Sequence, residues 1–402
     1  MMSFGGSIPS HKALNPSGIF LSGDMKISEL PKYLSLLPPA QSVLIIGPPG
    51  CGKSTAVREF AEAEAQRLGR EFVDYDDDDE LFLRVTKNPE KYYVFIDLRL
   101  TETEPTDFLG VPRDIDHFIV YKPLRWVQAF SHKNAAGLIF LDELTNVRRE
   151  DVLAQAYKLV LDRRAGFKSF SPGVRIIAAG NHPEHSAVAN LLPAPLTNRF
   201  SVIEIDSGDI YEWIDYVNAH EGGIDPRVAG YITRFPGDLY HKSDAETLEN
   251  FPTRRAWSKL NQVIRDNNIN DLSMVEELAK MKIGKVVATK FAAFCRLQKY
   301  LPTPDKILKN PDIVLNKEIR EEEFSRIDLI YYAVATVASY LSANKADEKE
   351  VINFSIKLAN VQGDLLVVFI RLLPKNMRNS MVLKLSGIPE IQKTIQSIAK
   401  YI

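Results

Sequence analysis

Eight residues, Gly47-Pro48-Pro49-Gly50-Cys51-Gly52-Lys53-Ser54, fit the pattern G-x-x-x-x-G-K-[ST] in full. That spacing is chemistry for phosphate. The glycines let successive backbone N–H groups turn inward, the following helix offers its positive end, and the lysine offsets β- and γ-phosphate charge. Ser54 brings a hydroxyl for magnesium, and Thr55 continues the phosphate-facing start of the helix. A second constellation closes the apolar run Leu138-Ile139-Phe140-Leu141 with Asp142 and Glu143. Asp142 suits holding magnesium through the serine hydroxyl or a water, and Glu143 suits polarising a water aimed at the γ-phosphate. Acids at a strand end are also common solvated termini. Beside a phosphate loop, the second acid favours a water-activating ATPase over a nucleotide switch or a phosphotransferase.

Three further polar residues stand where a nucleotide site would use them. Asn181 ends the run Ala178-Ala179-Gly180-Asn181 and is placed to orient the attacking water, although Asn in such a break is also ordinary turn chemistry. Arg199, in Leu196-Thr197-Asn198-Arg199-Phe200, has no carboxylate partner nearby in sequence. It reads either as a surface arginine or as an arginine finger for a neighbouring subunit's nucleotide, which implies a ring. In Phe251-Pro252-Thr253-Arg254-Arg255-Ala256-Trp257, a helix start bears two arginines. Cations there are unfavourable without an anion to meet. Arg255 is the one expected to reach the γ-phosphate, with Trp257 packing the helix; the alternative is two solvated arginines.

The elements that must carry these residues alternate. Between residues 41 and 205, strand runs at 42–46, 92–98, 137–142, 174–180 and 200–205 are separated by helical stretches. This predicts an α/β domain, a parallel five-stranded sheet sandwiched between helices. Residues 206–301 carry helix-period apolar positions without strand runs, which predicts a small all-helical domain. After Pro302 and Pro304 a helical extension is expected over 302–402, and residues 1–40 form an N-terminal segment.

Composition narrows the class. The chain has 402 residues, 45% apolar and 25% charged, which excludes a disordered, collagenous or disulfide-scaffold protein. Fifty basic against 52 acidic residues give a net charge of −2, so no global field exists to hold a polyanion. Cys51 and Cys295 lack metal-ligand spacing and are expected as thiols in a reducing, cytoplasmic setting. The first residues lack a secretory pattern, and Leu329 to Leu341 is too short for a bilayer. The acidic run Asp76 to Glu80 is expected as a solvated loop, with a docking surface for a basic partner as the other reading.

Taken in order, the phosphate loop, the Asp-Glu strand, the Asn181 strand tip, the L-x-x-R-F arginine and the R-x-W helix resemble AAA+ ATPases, specifically the MoxR-like group. The stretch Thr106-Asp107-Phe108-Leu109-Gly110-Val111-Pro112, followed by Tyr121-Lys122-Pro123-Leu124-Arg125-Trp126, is similar to the region where that group carries a hairpin insert. The resemblance implies ATP and magnesium, a helical lid, a homo-oligomeric ring, commonly a hexamer, and chaperone-like remodelling of a partner protein, often one with a von Willebrand A domain. It departs at Asn146, one place later than the usual D-E-x-N-R-A, so Arg148 or Arg149 either serves the interface or faces water. Nothing in the resemblance matches residues after 302. Phe118, Ile119 and Tyr121 mark the insert as a candidate substrate-facing hairpin, with a packed hairpin as the alternative. A nucleic-acid-directed AAA+ ATPase, of helicase or loader type, would need a basic channel, and only Lys87, Lys91, Lys122 and Arg125 offer one, amid acids. The charge balance favours a protein partner, with no membrane association expected.

Overall fold

The computed structural model describes residues 21–182, 189–206, 209–241, 249–317, 325–392 and 395. The reading of the first residues as no export signal lies outside them. Two compact units divide the chain, one running to Asp206 and one made of the residues after it, with the loop Pro49–Gly52 grouped with the second.

In the first unit the strands are β1 (Leu21–Met25), β2 (Val43–Ile46), β3 (Glu71–Asp74), β4 (Tyr92–Arg99), β5 (Val111–Ile115), β6 (Phe118–Lys122), β7 (Ala136–Asp142), β8 (Arg164–Ala165), β9 (Lys168–Ser169), β10 (Gly173–Gly180) and β11 (Ser201–Ile205). Seven of them form one sheet in the order β1-β11-β2-β10-β7-β4-β3. Every neighbouring pair in it is parallel. The five strands expected from sequence are its interior, and β1 and β3 correct that count. Both are edge strands, and β3 reads Glu-Phe-Val-Asp with its charged ends exposed, so it lacks the apolar run that marks a strand buried on both faces.

The unit's helices are α1 (Leu30–Leu36), α2 (Lys53–Arg67), α3 (Asp79–Lys87), α4 (Pro105–Leu109), α5 (Arg125–Ser131), α6 (Glu150–Asp162) and α7 (Ala194–Thr197). Val94, Ile96, Ile139, Leu141, Val174 and Ile176 pack with Val85 of α3, Trp126 and Phe130 of α5, and Ala156 and Leu159 of α6. The alternate strand residues Tyr93, Phe95, Leu138 and Phe140 are buried as well, and α2 lies against β4, β7 and β10. Both faces are thus covered, the condition under which parallel strands carry continuous apolar runs.

The acidic run is not simply a loop. Asp78 caps α3 by accepting from the Leu81 N–H at 2.8 Å, and Asp79 and Glu80 occupy its first turn, where carboxylates meet the positive helix end. Arg125 faces Asp79 at 2.5 Å and Asp77 at 3.8 Å.

The second unit is helical: α8 (Ile210–His220), α9 (Pro226–Arg234), α10 (Arg254–Asp266), α11 (Leu272–Ile283), α12 (Lys285–Cys295), α13 (Pro304–Lys309), α14 (Asp312–Leu315), α15 (Arg326–Ala343), α16 (Glu348–Val361), α17 (Gly363–Leu372) and α18 (Lys375–Ser386). The expected lid, 206–301, and the expected extension, 302–402, share one core that runs from Trp213 to Ile395. Phe294 of α12 stacks on Tyr332 of α15 with centroids 5.3 Å apart, and α15 packs along α9. Cys51 and Cys295 are buried and form no disulfide; burial pushes the Cys295 thiol well above its ordinary value. Among the described residues no helix is long and apolar enough to cross a membrane.

Candidate nucleotide site

Sheet order brings the motifs together. β2, β10 and β7 are adjacent, with Gly180 opposite Ile46 and Ala178 opposite Leu141. The residues at their C-terminal ends, Gly47, Asn181 and Asp142, therefore share one edge of the sheet, which is where an open α/β sheet binds ligands. Gly50 and Gly52 take φ of 73° and 101°, the left-handed region that lets a loop curl without a Cβ clash. Helix α2 begins directly at Lys53.

Lys53 Nζ donates to the Gly47 carbonyl at 2.9 Å, to the Pro48 carbonyl at 2.8 Å and to Asn181 Oδ1 at 3.0 Å. Ser54 Oγ donates to Asp142 Oδ2 at 2.9 Å, and Asp142 Oδ1 accepts from the Glu143 N–H at 2.8 Å. Lys53, Ser54, Asp142, Glu143 and Asn181, expected from sequence to act together, are thereby joined within one unit. Glu143 holds φ 61° and ψ 28°, a backbone state rare for a residue with a Cβ and one that recurs where function fixes geometry. Asp97, one strand over on β4, is exposed, yet its carboxyl is pushed up to about 6 by desolvation first and by the charge of Asp142 second.

Two threonines hold this group, and no motif announces either. Thr101 Oγ1 donates to Glu143 Oε2 at 2.9 Å. Thr145 Oγ1 accepts from the Asn181 N–H at 2.8 Å. The β4–β7 register, in which Arg99 faces Asp142, is the signal that would have found Thr101, since a residue two beyond Arg99 must lie near Glu143. Gly180 admits Thr145: a Cβ on it would stand 2.5 Å from Thr145 Cγ2.

The remaining expected residues are placed as follows. Arg199 is exposed between α7 and β11 and makes no ion pair among the described residues. Arg149 pairs with Glu104 at 2.6 Å and Asp151 at 2.8 Å, while Arg148 is exposed. In the second unit, Arg254 is buried and Arg255 exposed on the first turn of α10. Trp257 is fully buried there and donates to the Asp238 carbonyl at 2.9 Å. The expected insert is a hairpin: β5 and β6 pair antiparallel around Asp116 and His117, both at positive φ, the signature of a two-residue type I′ turn. It is not packed. All ten strand residues are exposed, Phe118 by 72%, and Tyr121 lies 6.0 Å from Phe167, itself 74% exposed at the β8–β9 turn.

Residues 43–206 match the family model described as ATPase family associated with various cellular activities (AAA). Among curated proteins none matches the chain. Solved structures similar to this chain include Cdc6p from Pyrobaculum aerophilum, at 11% identity over 92% of each chain with a TM-score of 0.37. A point mutant of RuvB from Thermotoga maritima shares 15% identity over 85% of this chain and 92% of that one, with a TM-score of 0.29. NtrX from Brucella abortus in complex with ATP shares 13% over 96% and 70%, with a TM-score of 0.28. Likenesses this weak carry no argument about activity or partner.

Proposed function

We propose that the chain binds and hydrolyses ATP with magnesium as a MoxR-like AAA+ ATPase, in a homo-oligomeric, hexameric ring in the cytoplasm, and uses the cycle to remodel a partner protein. The observation that supports it best is the continuous bond path Ser54–Asp142–Glu143 beside Lys53 and Asn181. Lys53 suits the β- and γ-phosphates, Asn181 and Glu143 suit a water on the far side of the γ-phosphate, and Arg199 is an exposed cation suited to a neighbouring subunit's site.

The donor set fits magnesium. That ion takes hard oxygen ligands, keeps waters and completes its shell with phosphate oxygens; Ser54 Oγ and Asp142 Oδ2, 2.9 Å apart, are donors of that kind. When bound, it would neutralise phosphate charge as a Lewis acid. The proposal also draws on the exposed aromatic hairpin, which suits contact with a protein, whereas Arg125, one of the few basic residues a nucleic acid would use, is occupied by Asp77 and Asp79.

The test is ATP turnover of Glu143→Gln and Arg199→Ala. Both should lose most activity, and mixing Arg199→Ala with Lys53→Ala should restore part of it, because each subunit supplies what the other lacks. Wild-type turnover in both variants would remove the mechanism, and strong stimulation of wild-type turnover by DNA would replace the protein partner with a nucleic acid.

A further inference from the structure

Helix α8 and its cap present three acids, Asp209, Glu212 and Asp215, to arginines from three other helices of the same unit. Arg378 of α18 forks onto both oxygens of Asp215, one at 2.9 Å, and also donates to the Arg371 carbonyl at 2.5 Å. Arg371 of α17 donates to Asp209 Oδ2 at 2.5 Å while its guanidinium lies 4.9 Å from the centre of the Tyr211 ring. Arg254, the first residue of α10, donates to the Asp209 carbonyl at 3.3 Å and lies 3.9 Å from Glu212. Asp209 is thus the shared station: its Oδ1 caps α8 through the Tyr211 N–H at 3.0 Å, its Oδ2 takes Arg371 and its carbonyl takes Arg254.

Such a seam is a costly way to hold helices together. The side chains of Arg371, Arg254 and Arg378 are 12%, 7% and 7% exposed, and charges withdrawn from water gain little net stability over apolar packing. What directional bonds add is a fixed position. The helix start they fix is the one bearing Arg255, which is left exposed while Arg254 and Trp257 on either side of it are buried.

We propose that Arg371 is a positioning residue for Arg255: through Asp209 and Arg254 it sets the first turn of α10, so that residues after 302 tune how the chain handles ATP. The proposal rests on the reading of Arg255 as a γ-phosphate contact. Glu212 and the Tyr211 ring lie beside the station.

The experiment compares kcat and ATP KM for wild type, Arg255→Ala, Arg371→Met, Arg371→Lys and the Arg255→Ala/Arg371→Met double variant, each with a thermal melt. Arg371→Met should shift both constants in the direction of Arg255→Ala by about 3- to 10-fold, and the double variant should be no worse than Arg255→Ala alone, because groups acting through one chain of contacts are non-additive. Arg371→Lys should recover most of the loss, since the bond to Asp209 needs one donor. Normal kinetics in a folded Arg371→Met, or effects that multiply in the double variant, would overturn the inference while leaving Arg255 in place. Wild-type kinetics in Arg255→Ala would instead overturn the reading beneath it. Should Arg371→Met melt below the assay temperature, Asp209→Asn breaks the same contact and keeps the cap, and the same outcomes decide.

Discussion

Thr101 Oγ1 donates to Glu143 Oε2 at 2.9 Å, tying the turn after β4 to the carboxylate that follows β7. That bond occupies one oxygen of a carboxylate that must otherwise turn toward an attacking water. Thr101→Val removes the donor at nearly constant shape. ATP turnover in the absence of any partner should rise about 2- to 5-fold, in line with the loss of one exposed hydrogen bond. Reduced turnover would show that the contact assembles the site rather than restrains it.

Gly180→Ala should separate the water-orienting side chain from the phosphate-binding loop. The added methyl would stand 2.5 Å from Thr145 Cγ2, so Thr145 must move and the Asn181 N–H loses its acceptor. Misplacement of about an ångström near reacting atoms is worth orders of magnitude in rate; kcat should fall at least about 10-fold with ATP affinity changed far less. Isothermal titration beside steady-state kinetics checks this, and equal losses in both would point to collapse of the whole edge.

Asp238, in the second unit, accepts from Tyr231 Oη at 2.6 Å and Lys290 Nζ at 2.8 Å, with His241 Nε2 at 3.3 Å. Burial alone would raise its carboxyl, but the bonds from Lys290 and Tyr231 outweigh it and hold the group below the usual carboxylate range. A depressed folded value means that its stabilisation is complete above the unfolded pKa of about 3.9 and disappears as pH falls through the folded value. The melting-temperature gap between wild type and Asp238→Asn should therefore be widest near neutrality and close at acid pH. A gap independent of pH would assign the residue to packing.

Phe118→Ala should leave stability within about 0.5 kcal/mol, as for other exposed positions, and leave basal ATP turnover unchanged, while remodelling of a partner falls. Phe167→Ala should act likewise, given the Tyr121–Phe167 contact that joins the two hairpins. Both variants remodelling at the wild-type rate would free the hairpins from that role.

What sequence conveyed depended on whether neighbours in space are neighbours in the chain. The phosphate loop is eight consecutive residues and Asp142-Glu143 closes one apolar run, so their chemistry was readable directly, and the helical character of 206–301 and of the segment after 302 followed from periodicity. β3 escaped because a short edge strand need not be apolar. Thr101 and Thr145 escaped because their partners lie 42 and 36 positions away, a distance only sheet register can bridge. Arg371 and Arg378 escaped for the same reason: they turn inward onto Asp209 and Asp215, 162 and 163 positions earlier.

The stacking of Phe294 on Tyr332 bears on how this chain can be shortened. A fragment ending at 301 would strip the cover that α15 supplies, Tyr332 over Phe294 and the face packed along α9, the helix of Val228 and Tyr231. Such a fragment is expected to expose sticky surface and to be cut readily by proteases. Helices α13 to α17 are therefore a structural wall of the helical unit, and any variant that loses them must rebuild that surface or be cleared.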